Sequence, residues 1–351
     1  MKPASLCQPK VRGLIAEGEY VLAKGPFPQR ARLDAETLLL HLLQQNHPER
    51  NRAWLIAHWD HSANHATEFR ALIGRRLAGE PIQYILGETE FYGIPLHVSP
   101  AVLIPRPETE HLVEKVIHWA KSQSARLPAP RILDVGTGSG AIAIALAHQL
   151  PHAAVTAIDI SAPALALAAN NATRNMVAIR FLHGDLLAPV AHEQFDIVAS
   201  NPPYIPTADR SSLSVEIRDH EPAVALFADP GPDSDGLEIY RRLIPAAFRA
   251  LTPGGLIALE IGYAQSPALT ALLTQSGFQN IEFLPDLQAI PRVACAVKPQ
   301  ASLTSSDSFA PPIPPRPESN PAQTIKLVEF YNCINSPANH GPSSGSRALP
   351  R

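Results

Sequence analysis

Between residues 131 and 298, short apolar runs alternate with longer stretches in which apolar residues recur at helical spacing. Runs of this length and composition are typical of strands buried on both faces. The apolar runs are Ile132–Val135, Val155–Ile160, Ile179–Leu182, Phe195–Ala199, Leu256–Ile261, Ile281–Leu284 and Val293–Val297. The helical stretches lie near 140–150, 162–174, 237–251 and 267–276. This alternation predicts an α/β fold with a mostly parallel sheet covered by helices on both faces.

The first 88 residues carry a helical pattern without strand signals. Leucines dominate residues 38–43, and the stretch Glu68–Leu77 places its apolar residues on one helical face. We therefore expect residues 1–88 to form a small helical N-terminal domain packed as a bundle. Asp34 precedes the leucine-rich run and is predicted to cap that helix.

Changes in pattern suggest where the domains meet. Two short extended runs flank Gly93, which predicts a hairpin linker over residues 89–103. The α/β domain is then expected over 104–298, with Ser266 and Pro267 as the cap and first residue of its last helix. Residues 299–351 are rich in Pro, Ser, Ala and Asn and are predicted to be a disordered tail.

Composition and charge exclude several classes of protein. The net charge of −3 indicates no strongly basic surface for nucleic acid, although a local basic patch stays open, and the first residues contain no apolar segment typical of a secretory signal. Only three cysteines occur, far apart, which fits a reducing cytoplasm; we expect cytoplasmic localisation and no membrane contact. His58, His61 and His65 are spaced like ligands, but a surface helix or turn is the better interpretation than a metal site.

A glycine-rich loop follows the first predicted strand of the sheet. Asp134 precedes Gly136-Thr137-Gly138-Ser139-Gly140, and the loop opens an alanine-rich helix. Such a loop lets a ligand approach the backbone closely beside the helix N-terminus. Asp159 and Asp185 follow the next two strands and could accept hydrogen bonds from a ribose and from an adenine amino group. Gly136, Gly138 and Ala141 satisfy the dinucleotide fingerprint, with Ala in its last place. The same loop, preceded by Asp134, also resembles motif I of S-adenosylmethionine-dependent methyltransferases, so both cofactors stay open at this point.

The tetrapeptide Asn201-Pro202-Pro203-Tyr204 directly follows another predicted strand. Open α/β sheets bind their ligands at such strand ends. The Asn201 side chain and the Pro202 peptide carbonyl offer two acceptors, Pro203 fixes the backbone, and Tyr204 offers a flat aromatic face. Together these groups suit a planar –NH2 group, for which a hydride-transfer enzyme has no evident use. The tetrapeptide therefore favours S-adenosylmethionine over a nicotinamide cofactor.

Through these motifs and several further runs, the chain resembles the release-factor glutamine methyltransferases, also called the PrmC or HemK family. The resemblance covers about residues 10–298, and the run at 104–110 is its most specific part. The matching runs, in order, are Pro81–Gly87, Glu90–Gly93, Ile104–Glu110, Ile132–Gly140, Asn201–Tyr204, Glu221-Pro222 and Asp235–Leu237. The segment 286–292 resembles the family's closing segment only loosely, and the tail after Lys298 has no counterpart in the family.

The resemblance implies a seven-stranded Rossmann-like methyltransferase sheet behind a helical N-terminal domain. It implies methyl transfer from S-adenosylmethionine to the side-chain amide nitrogen (N5) of the glutamine in the Gly-Gly-Gln loop of peptide-chain release factors. The methionine portion of the cofactor is expected near Gly136–Gly140, ribose on Asp159 and adenine near Asp185 and Leu186. The substrate glutamine is expected on Asn201–Tyr204, with Asn201, Pro202 and Tyr204 as the catalytic residues.

Other functions stay open at this point. The same tetrapeptide occurs in methyltransferases that modify amino groups of adenine or guanine, or a ribosomal-protein glutamine. A nucleic-acid substrate would favour a module rich in Lys and Arg, and residues 1–88 offer none, so no stable nucleic-acid binding is expected. Roles in the pocket or in its walls are equally open for Arg106, Glu108, Glu110 and Glu260.

Overall fold

The computed structural model describes residues 9–228, 231 and 234–300. Apart from residues 299 and 300, the predicted tail lies outside the described residues. The described helices are α1 Val11–Leu22, α2 Ala31–Gln44, α3 Arg52–Ala57, α4 Ala66–Leu77, α5 Ile82–Leu86, α6 Thr109–Ser122, α7 Ala141–Gln149, α8 Ala162–Arg174, α9 Val215–His220, α10 Ala223–Leu226, α11 Glu238–Ala250 and α12 Ser266–Gln275. The described strands are β1 Glu88–Phe91, β2 Ile94–His97, β3 Arg131–Val135, β4 Ala154–Asp159, β5 Arg180–His183, β6 Phe195–Ser200, β7 Leu251–Glu260, β8 Gln279–Pro285 and β9 Pro291–Val297.

Strands β3 to β9 form one seven-stranded sheet in the order β5-β4-β3-β6-β7-β9-β8. β9 pairs antiparallel with both of its neighbours, and the pairs from β5 through β7 are parallel. The predicted fold class is therefore confirmed, and each of the apolar runs between residues 131 and 298 overlaps a strand, with only Ile160, Ile179 and Ile261 lying one residue outside. The largest difference is at β7, which begins at Leu251 rather than Leu256.

Alternate residues of the sheet enter two apolar layers, as the two-residue period of strands requires. On one face, Ile132 and Ile197 pack with α6 and α7, while on the other Leu133 and Val198 pack with α11 and α12. Both faces are thus covered, which explains why the central strands read as continuous apolar runs. The helices cover the two faces of the sheet and leave the carboxyl ends of its parallel strands accessible.

The N-terminal helices form their own apolar core from α1, α2 and α4, including Leu14, Leu38 and Phe69. Strands β1 and β2 then form an antiparallel hairpin whose turn residues, Tyr92 and Gly93, both have positive φ, the geometry that tight hairpins favour. The division into domains at residues 1–88, 89–103 and 104–298 stays a prediction. No helix in the described part of the chain is long and apolar enough to cross a bilayer.

Two predicted helix caps are wrong. Helix α2 already begins at Ala31, after a 3-10 turn at Pro28–Arg30, so Asp34 lies inside its first turn and is buried. Helix α12 begins at Ser266 itself, with Gln265 at the cap position and no capping hydrogen bond from a side chain. The Gln265 Oε1 instead accepts from the Gly262 N–H at 2.9 Å.

Asp34 is buried because it pairs with Arg76, which is only 1% exposed. The Arg76 Nε donates to Asp34 Oδ2 at 2.6 Å. Its Nη1 donates to the Glu80 carbonyl at 3.0 Å and to Glu216 Oε1 at 2.5 Å. Glu216 belongs to α9, so this one guanidinium joins α2 and α4 to a segment that follows the sheet strand β6.

We expect Arg76→Met to destabilise the protein by about 3–5 kcal/mol, because it leaves the Asp34 carboxylate buried without its partner. The measurement is the free energy of unfolding in urea, followed by circular dichroism. Arg75→Met is the matched control, because Arg75 is the sequence neighbour of Arg76 and pairs with Glu80 at the surface. We expect this variant to lose only about 0–1 kcal/mol of unfolding free energy. Equal losses in the two variants would contradict a structural role for the buried pair.

Candidate active site

A cavity of about 540 Å³ opens at the carboxyl ends of β3, β4 and β6. This volume lies in the range usual for sites that hold small molecules and cofactors. Of the residues predicted to form the site, those that line it are Gly136, Thr137, Gly138, Ser139, Asp159, Asp185, Leu186, Asn201, Pro202 and Pro203. The two strand-end motifs identified in the sequence therefore meet at one cavity.

The glycine loop is held by the sheet beneath it. The N–H groups of Gly136 and Thr137 both donate to the Ile158 carbonyl, at 2.8 and 3.0 Å. Gly136 and Gly138 have φ of +73° and +56°, and a Cβ on either would meet no atom within 4 Å. Glycine is thus required here by backbone conformation, and the space in front of the loop stays open for a ligand. Gly140 lies outside the cavity lining and serves as the N-cap of α7.

Asp134 closes the loop from below. It is completely buried, and its Oδ2 accepts from the Thr137 hydroxyl at 2.6 Å. Burial raises the pKa of Asp134 to about 7, an effect that the Thr137 hydrogen bond opposes. This carboxyl group faces the loop rather than the cavity, so its work is to hold the turn.

Asp159 ends β4, as predicted, and also supports the loop. Its Oδ2 accepts from the Gly138 N–H and its Oδ1 from the Ser161 N–H, each at 2.8 Å. A carboxylate oxygen can accept more than one hydrogen bond, so both oxygens keep capacity for a ligand's hydroxyl groups. Asp159 is 9% exposed, and that exposed part faces the cavity that it lines.

Asp185 lies two residues beyond the end of β5 and forms an ion pair with Arg242 of α11. Both side chains line the cavity. Leu186 follows with a positive φ of 50°, an uncommon conformation for leucine that occurs where the chain turns along the cavity wall. The sequence pattern identified the aspartate and missed the arginine, because α11 is distant in the chain.

Asn201 follows β6 and contacts Thr109, the first residue of α6. The Asn201 Nδ2 donates to the Thr109 hydroxyl oxygen at 3.1 Å. Among the described residues, no donor reaches the Asn201 Oδ1 or the Pro202 carbonyl. Two acceptors at the cavity wall are therefore available to a ligand that brings two N–H donors.

Tyr204 differs from its predicted position. It is absent from the cavity lining, and its hydroxyl donates to Glu260 Oε1 at 3.3 Å. Its backbone is tightly enclosed, since a Cβ on Gly236 would lie 2.2 Å from the Tyr204 carbonyl oxygen. Burial raises the pKa of Tyr204, so its hydroxyl stays protonated at neutral pH.

The residues left open by the sequence lie behind the cavity wall. Arg106 Nη2 donates to both carboxylate oxygens of Glu221, at 2.7 and 2.8 Å, and Glu110 accepts from the Tyr92 N–H at 2.9 Å. Glu260 is buried at the end of β7, where it accepts from Thr109 and Tyr204. Glu108 is the N-cap residue of α6. Their structural contacts thus account for three of these four side chains.

Part of the cavity wall was not predicted from the sequence. It consists of the segment before α6 and the wall segment, residues 205–228, which follows the Asn-Pro-Pro-Tyr tetrapeptide. The unpredicted lining residues in these two parts are Ala101, Val102, Leu103, Pro105, Thr109, Thr207, Arg210, Ala223, Val224, Ala225, Phe227 and Ala228. The matching run at 104–110 pointed to the first part and the Glu221-Pro222 run to the second, but neither run identified the residues that line the cavity.

His58, His61 and Trp54 form an aromatic cluster at the end of α3, with the Trp54 and His58 rings stacked at 4.2 Å. The turn interpretation of these histidines is confirmed, because α3 ends at Ala57. Within the described ranges, no group of His, Cys, Asp and Glu side chains could hold a metal ion.

Comparisons with known proteins agree with this architecture. The family described as the PrmC N-terminal domain matches residues 14–87, and the family described as the methyltransferase small domain matches residues 120–217.

Curated relatives match along most of their length. The chain is 41% identical to a release factor glutamine methyltransferase of Geobacter sulfurreducens over 276 residues, which is 78% of this chain and 91% of that protein. It is 42% identical to the protein of the same description from Bordetella pertussis over 270 residues, 76% of this chain and 95% of that protein. A solved structure described as a release factor-specific protein-(glutamine-N5) methyltransferase from Alicyclobacillus acidocaldarius is 30% identical, with a TM-score of 0.35, over 58% of this chain and 99% of that chain.

Proposed function

Because the chain belongs to the release factor glutamine methyltransferase family, we propose that it methylates the side-chain amide nitrogen (N5) of the glutamine in the Gly-Gly-Gln loop of peptide-chain release factors. The methyl donor in this proposal is S-adenosylmethionine. The observation that carries it is a pair of acceptors, Asn201 Oδ1 and the Pro202 carbonyl, which receive no hydrogen bond from any described residue and lie beside an open glycine loop. A carboxamide –NH2 group has two N–H donors to match them.

Two features of the cavity suit S-adenosylmethionine, independently of the family resemblance. The loop at Gly136 and Gly138 leaves open space where any side chain would intrude, and Asp159 keeps acceptor capacity at the end of β4. We assign the loop to the methionine portion, Asp159 to the ribose hydroxyls, and Asp185 with Leu186 to the adenine. When bound, this cofactor supplies an electrophilic methyl group on a sulfonium.

The chain's own residues have mainly to position the substrate. An amide nitrogen is a poor nucleophile, because its lone pair is delocalised into the carbonyl group. Asn201 and Pro202 orient the nitrogen by accepting its two hydrogens, and such positioning can lower a barrier by about 7–11 kcal/mol in the best cases. The same acceptors stabilise the positive charge that grows on the nitrogen during attack.

No general base is needed in this mechanism. Once methylated, the substrate nitrogen would be cationic and acidic, and it would release its proton to water. Pro203 keeps the backbone rigid at the acceptor pair. Tyr204 supports the tetrapeptide from behind the cavity wall, through the hydrogen bond of its hydroxyl to Glu260.

The direct test is transfer of a labelled methyl group from S-adenosylmethionine to a purified release factor. We expect label on the glutamine of the Gly-Gly-Gln loop, and none on a release factor in which that glutamine is replaced. A DNA duplex, ribosomal RNA and ribosomal proteins serve as competing substrates in parallel reactions. Label on one of these in place of the release factor would reject the proposal in favour of that substrate.

We expect Asn201→Ala to lower kcat by about 10²–10³-fold, the loss seen when a transition-state hydrogen-bonding partner is removed. Steady-state methylation of a release factor gives kcat, and calorimetry gives the cofactor Kd, which should change far less. Asn201→Asp keeps an acceptor and should lose less activity. Asn175→Ala is the control, because the Asn175 side chain bonds to the Pro95 carbonyl away from the cavity.

We expect Asp159→Ala to weaken S-adenosylmethionine binding by at least about 10-fold, because hydrogen bonds to a charged group contribute about 1.5–3 kcal/mol each. Calorimetric titration measures the Kd, and NAD should not compete for the site. Asp60→Ala is the control, since Asp60 forms only exposed ion pairs with Lys10 and Arg12. An unchanged Kd in Asp159→Ala would remove Asp159 from the cofactor site.

A further inference from the structure

Three side chains converge on one buried carboxylate behind the acceptor pair. Glu260 is 2% exposed, and its Oε2 accepts from the Thr109 hydroxyl at 2.5 Å. Its Oε1 accepts from the Tyr204 hydroxyl at 3.3 Å. The Thr109 oxygen in turn accepts from Asn201 Nδ2 at 3.1 Å. The start of α6, the end of β7 and the tetrapeptide after β6 are therefore joined through a single group.

The direction of these hydrogen bonds decides which way the Asn201 carboxamide faces. A threonine hydroxyl has one proton, and here that proton is given to Glu260. Toward Asn201 the Thr109 oxygen can therefore only accept, which selects the NH2 end of the carboxamide. The opposite end, Oδ1, is then turned away from Thr109 and left as an acceptor.

We propose that Thr109 and Glu260 are positioning residues for methyl transfer, which fix the rotamer of the Asn201 carboxamide and the place of the Tyr204 ring. This inference rests on the proposed function, because it concerns how Asn201 presents its oxygen to a substrate –NH2 group. If the carboxamide were flipped, the Asn201 NH2 group would face the substrate NH2 group. Two donors cannot form a hydrogen bond, so the substrate nitrogen would be repelled.

The carboxylate itself is held from behind. The backbone carbonyl of Glu260 accepts from the Tyr240 hydroxyl at 2.7 Å, and this hydrogen bond joins the end of β7 to α11. The Tyr204 carbonyl accepts from Gln265 Nε2 at 3.1 Å, and Gln265 Oε1 holds the Gly262 N–H. Glu260 can thus orient Thr109 and Tyr204 because its own position is fixed by neighbouring elements.

The charge on Glu260 gives the arrangement a pH dependence. Burial raises the pKa of Glu260 to about 7, and the like charge of Glu108 adds to this, while the Thr109 and Tyr204 hydrogen bonds oppose it. The titratable and charged groups around it are Glu108 before α6, Tyr204 after β6, Tyr240 on α11, and Arg106 and Arg292, which act on Tyr204.

The two protonation states orient Asn201 in opposite ways. Ionised Glu260 only accepts, so Thr109 accepts from Asn201 and Oδ1 stays free. Protonated Glu260 can donate to Thr109, which then donates its own proton to Asn201 Oδ1 and turns the amide over. The productive state is the ionised one, so kcat should fall as the pH falls through about 7.

The first experiment compares Thr109→Val with Thr109→Ser in methylation of a release factor by the full chain. Valine removes the hydroxyl at constant shape, and we expect kcat to fall by up to about 10²-fold with little change in the cofactor Kd, because only orientation is lost. Serine restores the hydroxyl and should restore most of the turnover. The control is Thr252→Val, which removes a hydroxyl bonded to Asp196 at the opposite end of the sheet and should leave kcat unchanged.

The second experiment measures the pH profile of kcat for the unaltered enzyme and for Glu260→Gln. A glutamine cannot ionise, so the fall in kcat below about pH 7 should disappear in this variant, with a lower plateau. If Glu260→Gln does not fold, the comparison of Thr109→Val with Thr109→Ser decides alone.

Two results would overturn the inference: wild-type kcat in Thr109→Val, or an unchanged acidic limb in Glu260→Gln. Either result would leave the proposed function intact, provided that the unaltered enzyme methylates the release factor and Asn201→Ala does not. Failure of the unaltered enzyme to methylate any release factor would instead reject the proposed function, and this inference with it.

Discussion

The parallel pairing of β3 with β6 is the constraint on which the site depends. Val135 lies opposite Ser200, and the Ser200 hydroxyl donates to the Val135 carbonyl at 2.6 Å. Because both strands end at this pair, the glycine loop and the tetrapeptide leave the sheet side by side. A slip of one residue would move every side chain of a strand to the other face, and both faces here are buried. The apolar layers therefore fix the distance between the two motifs before any polar contact is made.

Buried carboxyl groups do the next part of the work. Taking a carboxylate out of water is unfavourable unless donors surround it, so each buried carboxyl in this sheet marks a place where donors have been gathered. Asp134 accepts a hydrogen bond from the Thr137 hydroxyl, and Asp159 accepts from two backbone N–H groups of the loops beside it. Glu260 gathers hydroxyls from two different elements. Their common effect is to hold loops whose backbone the sheet alone does not determine.

The strands and the two motifs were predictable because their signals are local in sequence. Apolar runs and glycine spacing report on a residue's immediate neighbours, and these identified every strand of the large sheet together with Asn201 and Asp159. The missed features depend on residues far apart in the chain. Asp34 has the sequence position of a helix cap, but it is buried beside Arg76, which is distant in the chain. Tyr204 was predicted to offer a flat face to the substrate, and the sequence gives no sign that its hydroxyl bonds to Glu260. Helix α6 is an exception, because it was not predicted although Leu112, Val113, Val116, Ile117 and Ala120 give it a continuous apolar face that is local in sequence.

Long-range pairs also explain how the wall segment, residues 205–228, is held over the cavity. Two of its carboxylates bind arginines from earlier in the chain: Glu216 binds Arg76 and Glu221 binds Arg106. The fit at the first of these is close, since a Cβ on Gly79 would lie 2.5 Å from a methyl carbon of Val215. Separating the wall segment from the N-terminal helices would break the ion pair between Glu216 and Arg76. That separation is unfavourable because the Arg76 side chain is buried and would lose one of its charged partners. The same helices that lie outside the sheet therefore help to define one side of the cavity, and their sequence is constrained by the site as well as by their own core.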